Sequence, residues 1–158
     1  GRFVGAQDME KANEVIAAGF LMGIAYSAVL AILYITFRFQ LVEIFAPPDG
    51  NFSEIRSLAA FMMVGLSSYA MADAICLVSG GVLRGAGDTR WLMIVSVSLH
   101  WAMLVAQYFI ILVFKLDPRI SWLAFVVLML CIAVVYMWRL VSGKWRDPER
   151  LKLVMAEY

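Results

Sequence analysis

Along the chain, apolar runs long enough to cross a bilayer alternate with short charged links. Residues 15–37 contain no Asp, Glu, Lys or Arg; a spanning helix needs roughly 20 such residues at about 1.5 Å each. A second run covers 57–83 and is broken by one charge, Asp73. The third, 91–114, has no full charge but holds His100 and Gln107. The fourth, 120–138, has Trp122 and Trp138 near its ends, placed like interfacial anchors. Pro47-Pro48-Asp49-Gly50 breaks the first link, and Ser53 with Glu54 offers a helix start after it. Gly85 and Gly87 suit a left-handed helix cap, and Lys115-Leu116-Asp117-Pro118-Arg119 reads as a tight turn. A polar tail follows at 139–158, with a short surface helix expected over 148–158. The period-2 alternation of a membrane barrel is absent. The pattern therefore predicts an all-α integral membrane protein with four transmembrane helices.

Composition agrees. The chain is 63% hydrophobic and 16% charged, with a mean hydropathy of +0.84, against about 45–50% and about 25% in soluble domains. That excess cannot be hidden inside one small globule, so the lipid bilayer must solvate the outside. A net charge of +1 leaves no broad basic surface for nucleic acid. Basic residues divide unevenly between the two sides of a four-span chain. Arg2, Lys11, Arg84, Arg90, Arg139, Lys144, Arg146, Arg150 and Lys152 fall on one side, and Arg38, Arg56, Lys115 and Arg119 on the other. The positive-inside bias then places both ends and the loop between spans two and three in the cytoplasm. Asn51-Phe52-Ser53 fits a glycosylation sequon, a triplet that also arises by chance. The chain opens on Gly1 with no signal-peptide pattern, which reads as a piece of a longer polypeptide.

Asp73 changes the picture most. A carboxylate near the middle of a span costs roughly 2.5–3.5 kcal/mol on insertion scales, so it faces protein or a watery cavity. Tyr69 lies one turn earlier and Cys76 about one turn later on the same face. A carboxylate, a phenol and nearby carbonyls can bind a proton or a hard cation such as Na⁺, which makes Asp73 the candidate metal-contacting residue. The alternative is a structural aspartate bonded to a neighbouring helix. His100 and Gln107 share a face of span three with Ser96 before them; they line a polar cavity or make interhelical hydrogen bonds. Gly19, Gly23 and Ser27 form a small-residue stripe suited to close helix packing. Cys76 and Cys131 lie in apolar runs without metal-ligand partners, as buried thiols do. No Lys or Arg lies inside any of the four runs, so an anionic substrate would find no counter-charge there. Phosphate loops, zinc-protease helices and nucleophile elbows are absent, which argues against an enzyme. Arg84-Gly85-Ala86-Gly87-Asp88 lacks the Lys-Ser/Thr of a phosphate loop and reads as a helix cap and turn.

Three motifs carry a resemblance to the multidrug and toxic compound extrusion (MATE) transporters. Gly1-Arg2-Phe3-Val4-Gly5-Ala6 with Ala12 resembles the loop that precedes a spanning helix in that family. Gly81-Val82-Leu83-Arg84-Gly85-Ala86-Gly87-Asp88-Thr89-Arg90 is similar to its "g-x-LrGaGdtr" signature, which picks out Arg84, Gly85, Gly87, Asp88 and Arg90. Arg139-Leu140-Val141-Ser142-Gly143-Lys144-Trp145 resembles its closing "R-x-x-x-GkW". The resemblance implies the last four helices of a twelve-helix, two-lobe fold, completed by an N-terminal lobe and two preceding helices. It implies a secondary antiporter that exports amphipathic or cationic organic compounds against Na⁺ or H⁺, with no cofactor. The family's Na⁺-coupled branch bears a Tyr and an Asp four residues apart on the tenth helix, and Tyr69 and Asp73 match that pair; the acidic partner on the seventh helix lies outside this chain. A lipid-linked-oligosaccharide flippase of the same superfamily and a non-transporting four-helix scaffold or partner subunit stand as alternatives.

Overall fold

The structure, a computed structural model, describes residues 2–45 and 52–147. The Pro47-Pro48-Asp49-Gly50 turn, Asn51 of the sequon and the expected 148–158 helix lie outside the described residues. Helices follow one another in the order α1 (Arg2–Gly5), α2 (Met9–Thr36), α3 (Arg38–Glu43), α4 (Ser53–Gly85), α5 (Thr89–Tyr108) and α6 (Pro118–Val141). A π-helical turn, Phe109–Val113, prolongs α5, and a 3₁₀ turn, Lys144–Arg146, follows α6. Four helices are long and apolar enough to cross a membrane: α2, α4, α5 with its π turn, and α6. The protein is an all-α membrane protein, with no strand among the described residues.

Helix ends run past the charge-free runs. The second helix begins at Met9, capped by the Asp8 side chain, which accepts from the Lys11 backbone N–H at 3.2 Å. Charges at Glu10, Lys11 and Glu14 thus lie within its first turns. At Phe37 the chain breaks and re-forms as α3, where the charge pattern indicated only a link. Arg56 reaches back from α4 to pair with Glu43, and the Arg38 and Arg56 guanidiniums lie over the Phe39 ring at 4.8 and 5.2 Å. Helix α4 starts at Ser53, as its sequence predicts, and its 33 residues extend about 50 Å, well beyond the roughly 30 Å of bilayer hydrocarbon. Asp117 and Pro118 start α6, the Asp117 carboxylate accepting from the Arg119 N–H at 2.7 Å.

Helix α4 is the centre, packed along α2 on one flank and α6 on the other; α5 touches its neighbours far less. Lipid supplies no hydrophobic drive between helices, so close approach and hydrogen bonds must hold them. The small-residue stripe of α2 does this. Val78 of α4 lies 3.5 and 3.4 Å from where a Cβ on Gly19 or Gly23 would stand. Ser27, fully buried, donates to its own Gly23 carbonyl at 2.8 Å and lies 3.2 Å from the Ala70 carbonyl of α4. Ser67 of α4 reciprocates, 3.1 Å from Met63 O and 3.4 Å from Ala31 O.

On the other flank, the Trp122 indole sits on Gly65, its Nε1 filling the space where a Cβ there would stand. Trp122 stacks on Phe125 (centroids 5.4 Å apart), and Phe125 meets Tyr69 at a tilt (5.7 Å). Trp122 is therefore a packing residue with a buried Nε1 rather than an interfacial anchor, while Trp138 is exposed. Cys131 is exposed as well, contrary to the expected buried thiol.

Gly65→Ala should lower thermal stability, since a Cβ would displace the indole; forced overpacking typically costs about 1–3 kcal/mol. Gly81→Ala meets nothing within 4 Å and should be neutral or mildly stabilising, by up to about 1 kcal/mol of helix propensity. Detergent-solubilised melting curves separate the two.

Candidate functional site

The loop after α4 is a Schellman turn. Gly87 has φ +78°, the Asp88 N–H donates to Leu83 O at 2.8 Å, and the Gly87 N–H donates to Arg84 O at 3.0 Å. Only glycine takes that backbone without strain. The turn delivers Asp88 to the first position before α5, yet its side chain does not cap that helix. Instead its Oδ2 accepts from Arg139 Nε at 2.8 Å, across 51 positions of sequence. The Asp88 side chain is 0% exposed and that of Arg139 is 9% exposed. The Arg139 guanidinium also lies over the Trp91 ring at 4.9 Å. A second left-handed glycine, Gly143 (φ +70°), ends α6 and folds the 3₁₀ turn back. Trp145 is thereby buried, its Nε1 donating to Leu140 O at 2.9 Å.

These residues adjoin a buried apolar core. Val4, Ala12, Leu83, Ala86, Leu92, Ile132, Tyr136, Leu140 and Trp145 pack together at this end. All three motifs quoted from the sequence contribute to it. The loop residues thus divide: Asp88 and Gly87 build the knot, whereas Arg84, Gly85 and Arg90 are exposed.

Above the knot, a groove of about 450 Å³ opens between α4, α5 and α6. Asp73, Cys76 and Arg84 of α4 line it, opposite Thr89, Leu92 and Ser96 of α5 and Tyr136 of α6. Asp73 is half-buried, and among the described residues no ion pair engages it. Tyr69 stands one turn away, outside the groove lining and tilted against Phe125; no direct hydrogen bond joins it to Asp73. Cys76, expected to line a substrate cavity, is among the residues of this groove. Gln107 and His100 lie outside this groove. Gln107 Nε2 donates to Ser121 O at 3.0 Å and its Oε1 accepts from the Ser121 hydroxyl, clipping α5 to α6. His100 is exposed and its Nδ1 bonds the Ser96 carbonyl of its own helix at 2.7 Å. Among the described residues no three His, Cys, Asp or Glu converge as a metal site. The groove offers one carboxylate toward a cation, a fraction of the six to eight oxygens a hard divalent ion takes, which suits a proton or a weakly held monovalent ion better.

Two features escaped the sequence. Arg84 lies inside α4 and lines the groove, although the apolar runs alone held no basic residue. Arg139 lies inside α6 and is the buried partner of Asp88, a pairing no local spacing announces.

Comparison with known proteins follows the same lines. The MatE family model matches residues 1–109. A protein named probable multidrug resistance protein NorM from Mannheimia succiniciproducens is 26% identical over 156 residues, covering 96% of this chain and 33% of that protein. Multidrug resistance protein MdtK of Photorhabdus laumondii is 25% identical over 158 residues, covering 97% and 34%. A second probable NorM, from Pasteurella multocida, is 24% identical over 145 residues, covering 89% and 30%. The chain spans about a third of the length of the curated relatives it matches. No solved structure matches it.

Removing one member of a buried ion pair leaves the other charge uncompensated, at about 3–5 kcal/mol. Asp88→Asn and Arg139→Gln should each destabilise strongly. The Asp88→Asn/Arg139→Gln double variant should lose less than the sum of the two, read as a non-additive shift in a double-mutant melting cycle.

Proposed function

The chain belongs to the MatE family, and on that footing we propose that it forms the last four helices of a secondary active antiporter. The antiporter exports amphipathic or cationic organic compounds in exchange for Na⁺ or H⁺, and its remaining length supplies the opposing lobe and two preceding helices. MatE proteins are transporters rather than enzymes. The relatives that match across nearly this whole chain carry multidrug resistance names.

The single observation that carries the coupling role is the state of Asp73, a half-buried carboxylate in a spanning helix, lining a groove and engaged by no ion pair among the described residues. Idle charge at that depth is expensive, so a cation or proton is its natural occupant. Tyr69, one turn away and held by the Phe125 ring, is positioned to add a phenolic oxygen when the ion binds. The Tyr-Asp spacing favours the Na⁺-coupled branch. A tenfold ion gradient supplies about 1.4 kcal/mol. Exchange of one monovalent ion for one monovalent drug cation moves no net charge, so the membrane potential of about 2.3 kcal/mol per 100 mV does not help. A single carboxylate visited alternately by ion and drug meets that stoichiometry. A flippase for anionic pyrophosphates is disfavoured because the groove sets a single arginine, Arg84, against the Asp73 carboxylate and offers no cluster of basic side chains.

Asp73→Asn should leave the fold intact and abolish gradient-driven efflux from proteoliposomes of the full-length transporter. Tyr69→Phe should weaken ion affinity mildly, by the roughly 0.5–1.5 kcal/mol of one hydrogen bond. Efflux by the Asn variant at the unmodified rate would make Asp73 a structural residue.

The Lys/Arg excess sets the α4–α5 loop in the cytoplasm. A cysteine at exposed Arg90 should therefore react with an impermeant maleimide only from the cytoplasmic side, and one at exposed Leu116 only from outside. A background with Cys76 and Cys131 replaced by alanine keeps the readout clean, and labelling of both from one side would refute the orientation.

A further inference from the structure

Helix α5 is held unevenly along its length. Near its start Leu92 is buried, and Val95 and Leu99 pack against the core cluster at the knot. From His100 to Val105 only Met103 is even half-buried, and Trp101 and Leu104 stand exposed. The helix is caught again at Gln107, whose amide meets Ser121 of α6 with both its nitrogen and its oxygen. Directly after that clip the backbone leaves the α repeat. The Phe114 N–H donates to Phe109 O at 2.9 Å, five residues back, and the Leu116 N–H to Ile110 O at 3.1 Å, six back. Lys115 closes the segment with φ +47°, a backbone that few residues with a Cβ adopt. Single π turns of this kind are rare and are found frequently at functional sites.

The other side of the clip is firm. Ser121 precedes Trp122, whose indole fills the notch at Gly65 and stacks on Phe125, so α6 is seated on α4 at this level. One wall of the groove is thus fixed, while α5 hangs between the knot and a single side-chain clasp. We infer that the Gln107–Ser121 clip is a latch, and that α5 is a lid that swings off α6 about its knotted end when the latch opens. The π turn supplies the slack that lets this end of α5 move without undoing the turn before Pro118. Opening is readily reversible, because interhelical hydrogen bonds in membranes are individually weak. Neither partner is stranded by it. The Ser121 hydroxyl turns back to the carbonyl four residues earlier, as Ser27 and Ser67 do in their own helices. The Gln107 amide, only half-buried when latched, meets the water that enters. A lid hinged at the knot widens the groove most at the far end, where the clip sits about 28 Å from Asp88 at 1.5 Å per residue. The use of this motion, admitting and releasing cargo, rests on the antiporter reading; its geometry does not.

Two measurements on the full-length protein, with Cys76 and Cys131 replaced by alanine, test the latch. In the first, Met103→Cys reports the opening of α5 through its rate of reaction with a water-soluble maleimide in detergent. Gln107→Leu should raise that rate about fivefold to tenfold, the factor that two interhelical hydrogen bonds represent. Ser121→Ala removes one of the two and should raise it about threefold. In the second, Gln107→Cys with Ser121→Cys is bridged by a short bis-methanethiosulfonate, and efflux from proteoliposomes is followed. The bridged protein should stop exporting, and reduction of the bridge should restore export. An unchanged rate at Met103→Cys in the Gln107→Leu variant would overturn the latch, as would full efflux by the bridged protein. Efflux lost in Asp73→Asn but indifferent to the bridge keeps the coupling role and sinks the lid. Bridge-sensitive efflux with an Asp73→Asn variant that still pumps does the reverse.

Discussion

The place of α5 depends on the buried pair between Asp88 and Arg139. No residue in the most apolar stretch of α5 is buried, and the helix touches α4 and α6 sparsely. Lipid offers it no hydrophobic reason to stay. What fixes it is a charge pair at one end, 2.8 Å long and closed to solvent, with Leu92 packed in the core cluster beside it, and the Gln107–Ser121 clip at the other. Between those two attachments α5 stands off from α4, and the groove holding Asp73 is the gap that results. The ion pair is poor evidence of net stability, because desolvation offsets much of the attraction. Its contribution is geometric: an uncompensated charge on either side is costly enough to forbid the unpaired arrangement.

The same end explains why two glycines recur in the motifs. Gly87 and Gly143 each place one residue in the left-handed region directly after a long helix. The first aims Asp88 inward, and the second brings Trp145 back under Leu140. Either turn made by a residue with a Cβ would strain the backbone and misplace a buried side chain. Val4 and Ala12 complete the cluster from the start of the chain, so α1 and the beginning of α2 are tied to the ends of α4 and α6. The result is one packed base beneath the groove.

Four spans and their order were legible because hydrocarbon length sets a threshold that composition either meets or fails. Boundaries were less so. Charges mark where a helix leaves hydrocarbon, and backbone hydrogen bonding carries the helix further, which is why α2 contains Glu10 and Glu14 and α4 contains Arg84. The Gly19, Gly23 and Ser27 stripe read correctly, since close packing needs small residues at helical spacing and little else mimics it. Gln107 stayed ambiguous because a cavity wall and an interhelical clip call for the same side chain; only the partner Ser121 decides between them. The Asp88–Arg139 contact was invisible because nothing local constrains a pairing 51 positions apart. Trp122 misled for a related reason: an aromatic near a span end suits an interface, but Gly65 on the neighbouring helix leaves a notch that the indole fills.

Two aspartates in α4 and its loop show how the protein separates structural from available charge. Both lie where an unpaired carboxylate is costly. Asp88 is closed to solvent and answered by a guanidinium at hydrogen-bond distance, itself stacked on Trp91. An ion entering there would have to displace Arg139 from a pair already desolvated, and the site is therefore spoken for. Asp73 is left half-buried beside a groove, and the nearest cationic side chain lining that groove is three helical turns away, held back by Gly80. Its charge is balanced only when something enters. Distance thus decides function: an arginine in contact makes an aspartate part of the frame, whereas an arginine three helical turns along the same helix face leaves it open to a ligand.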